Sequence, residues 1–187
     1  RLLDLTHMLS GPYCGMMLAD MGADTIKIER PGKGENTRRL LESSPEYSLN
    51  GTGAYFLTLN RNKRSVAIDL KSEAGKQLFY RLVETADVVL TNFAAGVNER
   101  LGIDHATLSA INPRVITCSI TGFGETGPHR DRVSFDMVAQ GTGGGMSITG
   151  DPEGTPMRAG IPIGDLGGGL MATIGILAAL QARTTTG

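Results

Sequence analysis

The chain contains no tryptophan, two cysteines and three histidines in 187 residues. Each shortage excludes a class of chemistry. Cys14 and Cys118 show no CxxC spacing and no disulfide framework, so they read as buried thiols of a reducing, cytoplasmic compartment. His7, His105 and His129 are scattered without metal-ligand spacing, and no metal site is expected. Neither sign of charge is in excess. A formal net charge of -1 and a pI of about 6.3 draw the chain neither to nucleic acid nor to an anionic membrane. No apolar run reads as long enough to span a bilayer. A G-x-x-x-x-G-K-[ST] loop is missing, so no ATP-driven step is expected.

Glycine is plentiful, at 26 residues. In an α/β pattern this points to tight turns and close ligand approach. A hydrophobic content of 40% and a charged content of 20% are ordinary for a globular protein. The length suits one domain over residues 1–187. The chain starts within a strand at Arg1 and stops just after a helix, which reads as part of a longer polypeptide.

Strand and helix signals alternate. Arg1 to Leu5 reads as a strand, and Thr6 to Pro12 as a turn. Tyr13 to Met21 reads as a helix closed by Gly22, and Asp24 to Glu29 as the second strand. Residues 32–54 are polar and rich in Gly, Ser and Asn, and predict a long loop or lid. A basic turn, Asn60 to Arg64, leads to a strand over Ser65–Asp69. A helix follows from Ser72 to about Thr85, with Ser72 as its cap. Strands over 87–90 and 114–121 flank two short helices, which reach Leu101 and span Asp104–Ile111. The alternation predicts an α/β fold, with a mostly parallel, Rossmann-like open sheet and helices on both faces.

The stretch Gly160-Ile-Pro-Ile-Gly-Asp165-Leu-Gly-Gly-Gly169 carries the strongest chemical signal. It predicts a strand feeding a buried helix over 170–180, with Asp165 on the turn between them. Free N–H groups and the helix dipole there favour an ionised carboxylate and can hold an oxyanion. Glycine lets a substrate approach the main chain. On this stretch alone, capping of the helix ranks ahead of catalysis for Asp165.

Gly122-Phe-Gly-Glu-Thr-Gly127 matches G-x-G-x-x-G, but it follows the fifth strand and runs into Pro128-His-Arg-Asp-Arg132 instead of a helix. It reads as a glycine-rich loop, and NAD is discounted. Glu29 ends the second strand, where a Rossmann domain would grip ribose, yet the first turn lacks the glycines of a pyrophosphate site. Basic residues recur at turns: Arg30, then Arg61, Lys63, Arg64 and Lys71, then Arg100, Arg130 and Arg132. Some could converge on a phosphorylated ligand. Singly, each reads as a solvated cation.

An ordered set of segments resembles the family III CoA-transferases (the CaiB/BaiF family). This group contains formyl-CoA, carnitine and succinyl-CoA-dependent transferases and the related α-methylacyl-CoA racemases. The matching segments are Asp4–Pro12, Gly22–Pro31, Asn60–Ser65, Asp87–Phe93, Asn112–Arg114, Ser119–Gly124, Phe135–Gln140 and Gly164–Asp165, spread over the whole chain. The resemblance implies that Asp165 is the nucleophile of a CoA transfer between an acyl-CoA and a small carboxylic acid. It implies coenzyme A contacts at Leu9, Ser10, Arg30, Ile68, Asp69, Leu70, Lys71, Asn92, Phe93, Ala94, Arg100, Arg132 and Phe135. Coenzyme A enters as substrate, and no permanently bound cofactor is expected. The same resemblance implies that residues 1–187 are the N-terminal part of a large domain and that the full-length protein is a homodimer of interlocked rings. Two positions depart from the family pattern. Racemases carry a histidine where Phe135 stands, and phenylalanine accepts no proton. Formyl-CoA transferases carry a glutamine where Leu9 stands, which suggests a larger acyl group. The competing readings are an acyl-CoA racemase or epimerase using other bases, and a non-catalytic CoA-binding module.

Overall fold

Short apolar strands bounded by turns align in parallel because both of their faces are covered. The computed structural model describes residues 1–186. In chain order the elements are β1 (Leu2–Asp4), α1 (Ser10–Asp20), β2 (Thr25–Glu29), a hairpin of β3 (Ser48–Leu49) and β4 (Thr52–Gly53), α2 (Ala54–Leu59), β5 (Lys63–Ala67), α3 (Glu73–Val83), β6 (Val88–Thr91), α4 (Val97–Leu101), α5 (His105–Ile111), β7 (Ile116–Ser119), α6 (Asp136–Thr142) and α7 (Ile163–Thr186). The main sheet has the order β5-β2-β1-β6-β7, all parallel. The order reverses between β1 and β6. That is the switch point of a doubly wound α/β sheet, where ligands bind beyond the carboxyl ends of the strands.

Strand periodicity of two divides the core. Leu3, Leu5, Ile26, Ile28 and Val89 face Phe79 and Val83 of α3 and Leu108 of α5. Leu2, Val88 and Leu90 face Cys14 and Leu18 of α1 and Ile176 of α7. Phe79 is completely buried, and truncating such a side chain to alanine costs about 3–5 kcal/mol. The Ser72 hydroxyl accepts from Gly75 N–H at 3.1 Å and caps α3, as its position in the sequence predicts.

Charges are buried within the sheet. Asp4 is fully buried, and its Oδ2 accepts from Lys63 Nζ at 2.9 Å while Oδ1 lies 3.4 Å from Lys27 Nζ. Burial raises the pKa of Asp4, but the two ammonium groups and the Thr6 hydroxyl outweigh it and hold the carboxyl well below the usual range. At the end of β2, Glu29 accepts from Arg38 Nε and Nη2, both at 2.7 Å, from Ser65 Oγ at 2.5 Å and from Glu35 N–H at 2.8 Å. Its oxygens are spent within the protein and not free for a ribose.

Several expectations are corrected. No strand leads directly into Asp165, since residues 149–162 form none. α7 begins before the glycines, because packing against α1 outweighs their low helix propensity. Its 24 residues are long and apolar enough, by length and composition, to cross a membrane, so the reading that no run reaches that length fails. The helix is also less enclosed than its composition suggests. Gly169, Thr173 and Ile176 are buried, whereas Met171, Ile174 and Leu177 are exposed. Residues 32–54 are more than a loop: Asn36–Arg38 form a 3-10 turn, the hairpin follows, and Glu35 and Thr37 are buried. Arg61, Lys63 and Arg64 lie at the amino end of β5, away from the ligand edge. Arg61 pairs with Asp20 at 2.5 Å and Arg64 with Asp24 at 2.6 Å.

Candidate active site

The loops after β1, β6 and β7 meet over the switch point and enclose a cavity of about 470 Å³. Asp165 lines it from the first turn of α7, and the start of α1 contributes Leu9 and Ser10. Leu9, the N-cap of α1, makes no side-chain capping bond. The first amides of such a helix and its dipole favour negative charge.

Among the described residues, no group donates a hydrogen bond to the Asp165 carboxylate. Burial first, and the charge of Asp136 second, push its pKa above the ordinary aspartate value. A carboxylate that is poorly solvated and unpaired is more basic, and more nucleophilic once ionised. Asp136 itself is anchored. Its Oδ1 accepts from Gly164 N–H at 2.9 Å and its Oδ2 from Gln140 Nε2 at 2.8 Å. This ties the start of α6 to the residue before Asp165. Tyr55, on α2, senses the same carboxylate: burial, then the charge of Asp165, raises the pKa of its phenol.

The turn after β1 is pinned from two sides. Asn92 brackets the His7 peptide, accepting from His7 N–H at 2.8 Å and donating to its carbonyl at 2.7 Å. Glu35 accepts from Met8 N–H at 2.9 Å, and His7 Nδ1 lies 3.7 Å from the same oxygen. Burial pushes the Glu35 pKa up, but the contacts of His7, Thr37 and Met8 prevail and leave it at about 2. Cations collect at the rim. A Cβ added to Gly96 would lie 3.3 Å from Arg100 Nη1 and 3.8 Å from Arg130 Nη2. The Arg130 Nε is buried and makes no hydrogen bond among the described residues, but it lies 3.5 Å from Asp131 Oδ1. Arg132 stacks over Phe123 at 5.2 Å.

Of the residues singled out in the sequence, Leu9, Ser10, Asn92, Phe93, Ala94, Arg132, Phe135 and Asp165 line the cavity. Arg30, Ile68, Asp69, Leu70, Lys71 and Arg100 do not. Arg30 follows β2 and residues 68–71 follow β5, on the same carboxyl edge of the sheet. Ile68 is a core residue at 4% exposure, so its side chain is closed to a ligand. Asn92 lines the cavity, but its amide is consumed by His7.

The three glycines after Asp165 differ in role. A Cβ on Gly169 would meet Ser10 O at 2.6 Å, so this position serves helix contact and not substrate approach, whereas Gly168 borders the cavity. Sequence reading missed Glu35 and Tyr55 as site residues and took Met8 and Asp136 only as parts of motifs. Arg130 was visible only as one of a run of basic residues. Cys14 is buried, and burial pushes its thiol up to about 12, as a structural cysteine requires. Among the described residues no cluster of histidine, cysteine and carboxylate side chains is placed to hold a metal ion.

Comparison with known proteins places this geometry. The description CoA-transferase family III matches residues 1–187. The chain is 46% identical over 184 residues to a succinate–glutarate CoA-transferase of Agrobacterium fabrum, covering 96% of this chain and 46% of that protein. It is 46% identical over 187 residues to a formyl-CoA:oxalate CoA-transferase of Rhodopseudomonas palustris, covering 100% and 43%. A crystal structure of a CaiB/BaiF family protein from Brucella suis superposes with a TM-score of 0.92 at 42% identity, covering 99% of this chain and 49% of that one. The chain thus spans about half the length of the relatives it matches. With its parallel sheet and switch-point cavity, it belongs to CoA-transferase family III.

Proposed function

We propose that the whole protein transfers coenzyme A from an acyl-CoA thioester to a carboxylic acid, with Asp165 as the covalent nucleophile. One observation carries this reading: Asp165 is an unpaired carboxylate in the first turn of α7, facing the switch-point cavity, with its pKa raised. Asp165 attacks the thioester carbonyl, forming a mixed anhydride and expelling CoA thiolate. The thiolate attacks the aspartyl carbonyl, releasing the donor acid and leaving an aspartyl-CoA thioester. The acceptor carboxylate attacks that thioester, expelling thiolate and forming a second anhydride. The thiolate then attacks the acceptor's acyl carbon, which yields the new acyl-CoA and restores the carboxylate. One thioester replaces another, so no ATP is consumed. Oxyanions formed along this path would sit near the Ser10 and Gly11 amides that open α1, since Ile163, Gly164 and Leu166 of α7 already donate to Ile161, Asp136 and Pro162. Arg100, Arg130 and Arg132 suit the phosphates of coenzyme A or the acceptor's carboxylate. Phe135 at the cavity wall accepts no proton, which disfavours two-base racemisation.

The relatives act, by name, on succinate and glutarate or on formyl-CoA and oxalate, at equal identity to this chain. Identity therefore does not choose the acceptor. The apolar Leu9 favours acids larger than oxalate. A homodimer in the cytoplasm belongs to the same proposal.

The test is incubation of the whole protein with succinyl-CoA or acetyl-CoA and a panel of acids, read by exchange of thioesters and by mass spectrometry. A CoA or acyl adduct on Asp165 is expected. Asp165→Ala should lose about 10⁴-fold or more in transfer rate while still binding CoA. Full transfer by that variant, or solvent deuterium entering the α-carbon without an adduct, would overturn the assignment.

A further inference from the structure

We propose that Glu35 is a positioning residue for the transfer reaction, holding Met8 in a left-handed backbone conformation that fixes the cavity wall made by Met8, Leu9 and Ser10. The consequence for turnover rests on the transferase reading above. The contact itself does not.

Met8 has φ +66°, a region that side chains bearing a Cβ disfavour. Met8 is 40% exposed, so burial does not force this conformation. The main chain is held instead. Met8 N–H is taken by Glu35 Oε1 at 2.9 Å, and the peptide before it is bracketed by Asn92. Glu35 is a fixed post. It is fully buried, its second oxygen accepts from Thr37 N–H at 2.9 Å and from the Thr37 hydroxyl, and its own N–H is bound by Glu29. Glu29 is gripped in turn by Arg38 through two bonds. No Lys or Arg side chain pairs with Glu35 among the described residues. Its Oε1 faces one main-chain amide and His7. A buried carboxylate used in this way holds a strained turn, and strained turns persist where the surroundings over-determine them. The turn decides where α1 starts, since Ser10 opens that helix two residues on. Once released, Met8 would relax to negative φ and withdraw the first amides of α1 from the cavity.

The test exploits glycine, which adopts positive φ without a clamp. Glu35→Ala is made in the whole protein with Met8 intact and again in the Met8→Gly background. With Met8 intact, kcat for transfer should fall about 100-fold, the usual effect of a displacement near 1 Å. In the Met8→Gly background the same substitution should cost less than about 10-fold. An equal loss in both backgrounds would show that Glu35 acts only through the fold of its own segment, and would overturn the proposal. Amide hydrogen exchange gives a readout independent of turnover. Met8 N–H should exchange at least about 10-fold faster in Glu35→Ala than in the parent, as expected when a local hydrogen bond is lost. Unchanged exchange there also overturns the proposal. If Glu35→Ala fails to fold, Glu35→Met, which fills the space but offers no oxygen acceptor to Met8 N–H, replaces it in the same two backgrounds, with the same relief expected. A parent protein that transfers no CoA from any acyl-CoA would sink the transferase reading, and the exchange measurement would still decide the clamp.

Discussion

Asp4 and Asp165 are both carboxylates within reach of the carboxyl edge of one sheet, yet their surroundings treat them oppositely. Asp4 is enclosed between Lys27 and Lys63, and its negative charge is more than matched. Asp165 is half-buried, has no cation beside it among the described residues, and has a second carboxylate, Asp136, in its field. The contrast teaches where to look for chemistry. Charges that the fold neutralises hold the fold. The charge it leaves uncompensated, at the mouth of a helix and beside a cavity, is available to react.

Their dependence on pH has opposite sign. The folded pKa of Asp4 is lowered, so its contribution to stability is complete above the ordinary value of 3.8 and is lost as pH falls through the folded value. The folded pKa of Asp165 is raised, so its contribution is complete below 3.8 and is lost as pH rises through the folded value. Acid weakens the first site and relieves the second.

Removing Asp4 should break the contrast most forcefully. Asp4→Ala leaves two ammonium groups in the interior and should cost about 3–5 kcal/mol. That corresponds to a fall of about 6–20 °C in the unfolding midpoint, measured by thermal and urea denaturation. A change below about 0.5 kcal/mol would mean the network is ornamental. The next effect concerns how Asp165 is carried. Gly169→Ala drives a methyl against Ser10 O and should cost about 1–3 kcal/mol, with a fall in transfer rate as α7 shifts. Gly167→Ala meets nothing within 4 Å and should be neutral or stabilising by up to about 1 kcal/mol through helix propensity. Equal effects at the two glycines would refute the packing role of Gly169. The subtlest change sharpens the electrostatics. Asp136→Asn removes the charge that helps raise the Asp165 pKa, so the acid limb of the pH–rate profile should move to lower pH. An acid limb moving upward would refute the coupling.

Much of the scaffold was legible because its signals are local. The apolar runs at Leu2–Leu3, Ile26–Ile28 and Val88–Leu90 are bounded by turns, and Ser72 is a recognisable cap. β5 starts two residues before its predicted place, since Lys63 and Arg64 look like turn residues until Asp4 and Asp24 neutralise them. The helix α6 was missed because Asp136–Thr142 is short and leaves Met137 and Val138 exposed, so no apolar periodicity marks it. Asp165 was found but misplaced. Three glycines read as a break between strand and helix, and only the contact of Gly169 with α1 explains why they continue one. The clamp on Met8 could not have been read at all. It joins residues 27 apart through a main-chain amide, and a positive φ at methionine leaves no mark in composition or spacing.

Lys27 and Lys63 have side chains only 1% exposed, whereas Lys33 and Lys71 are exposed. An amine-reactive reagent will therefore tag the second pair in the native protein and reach the first only when the sheet opens. The fraction of molecules labelled at the two interior lysines is a direct count of opened chains, a gauge that works without any substrate.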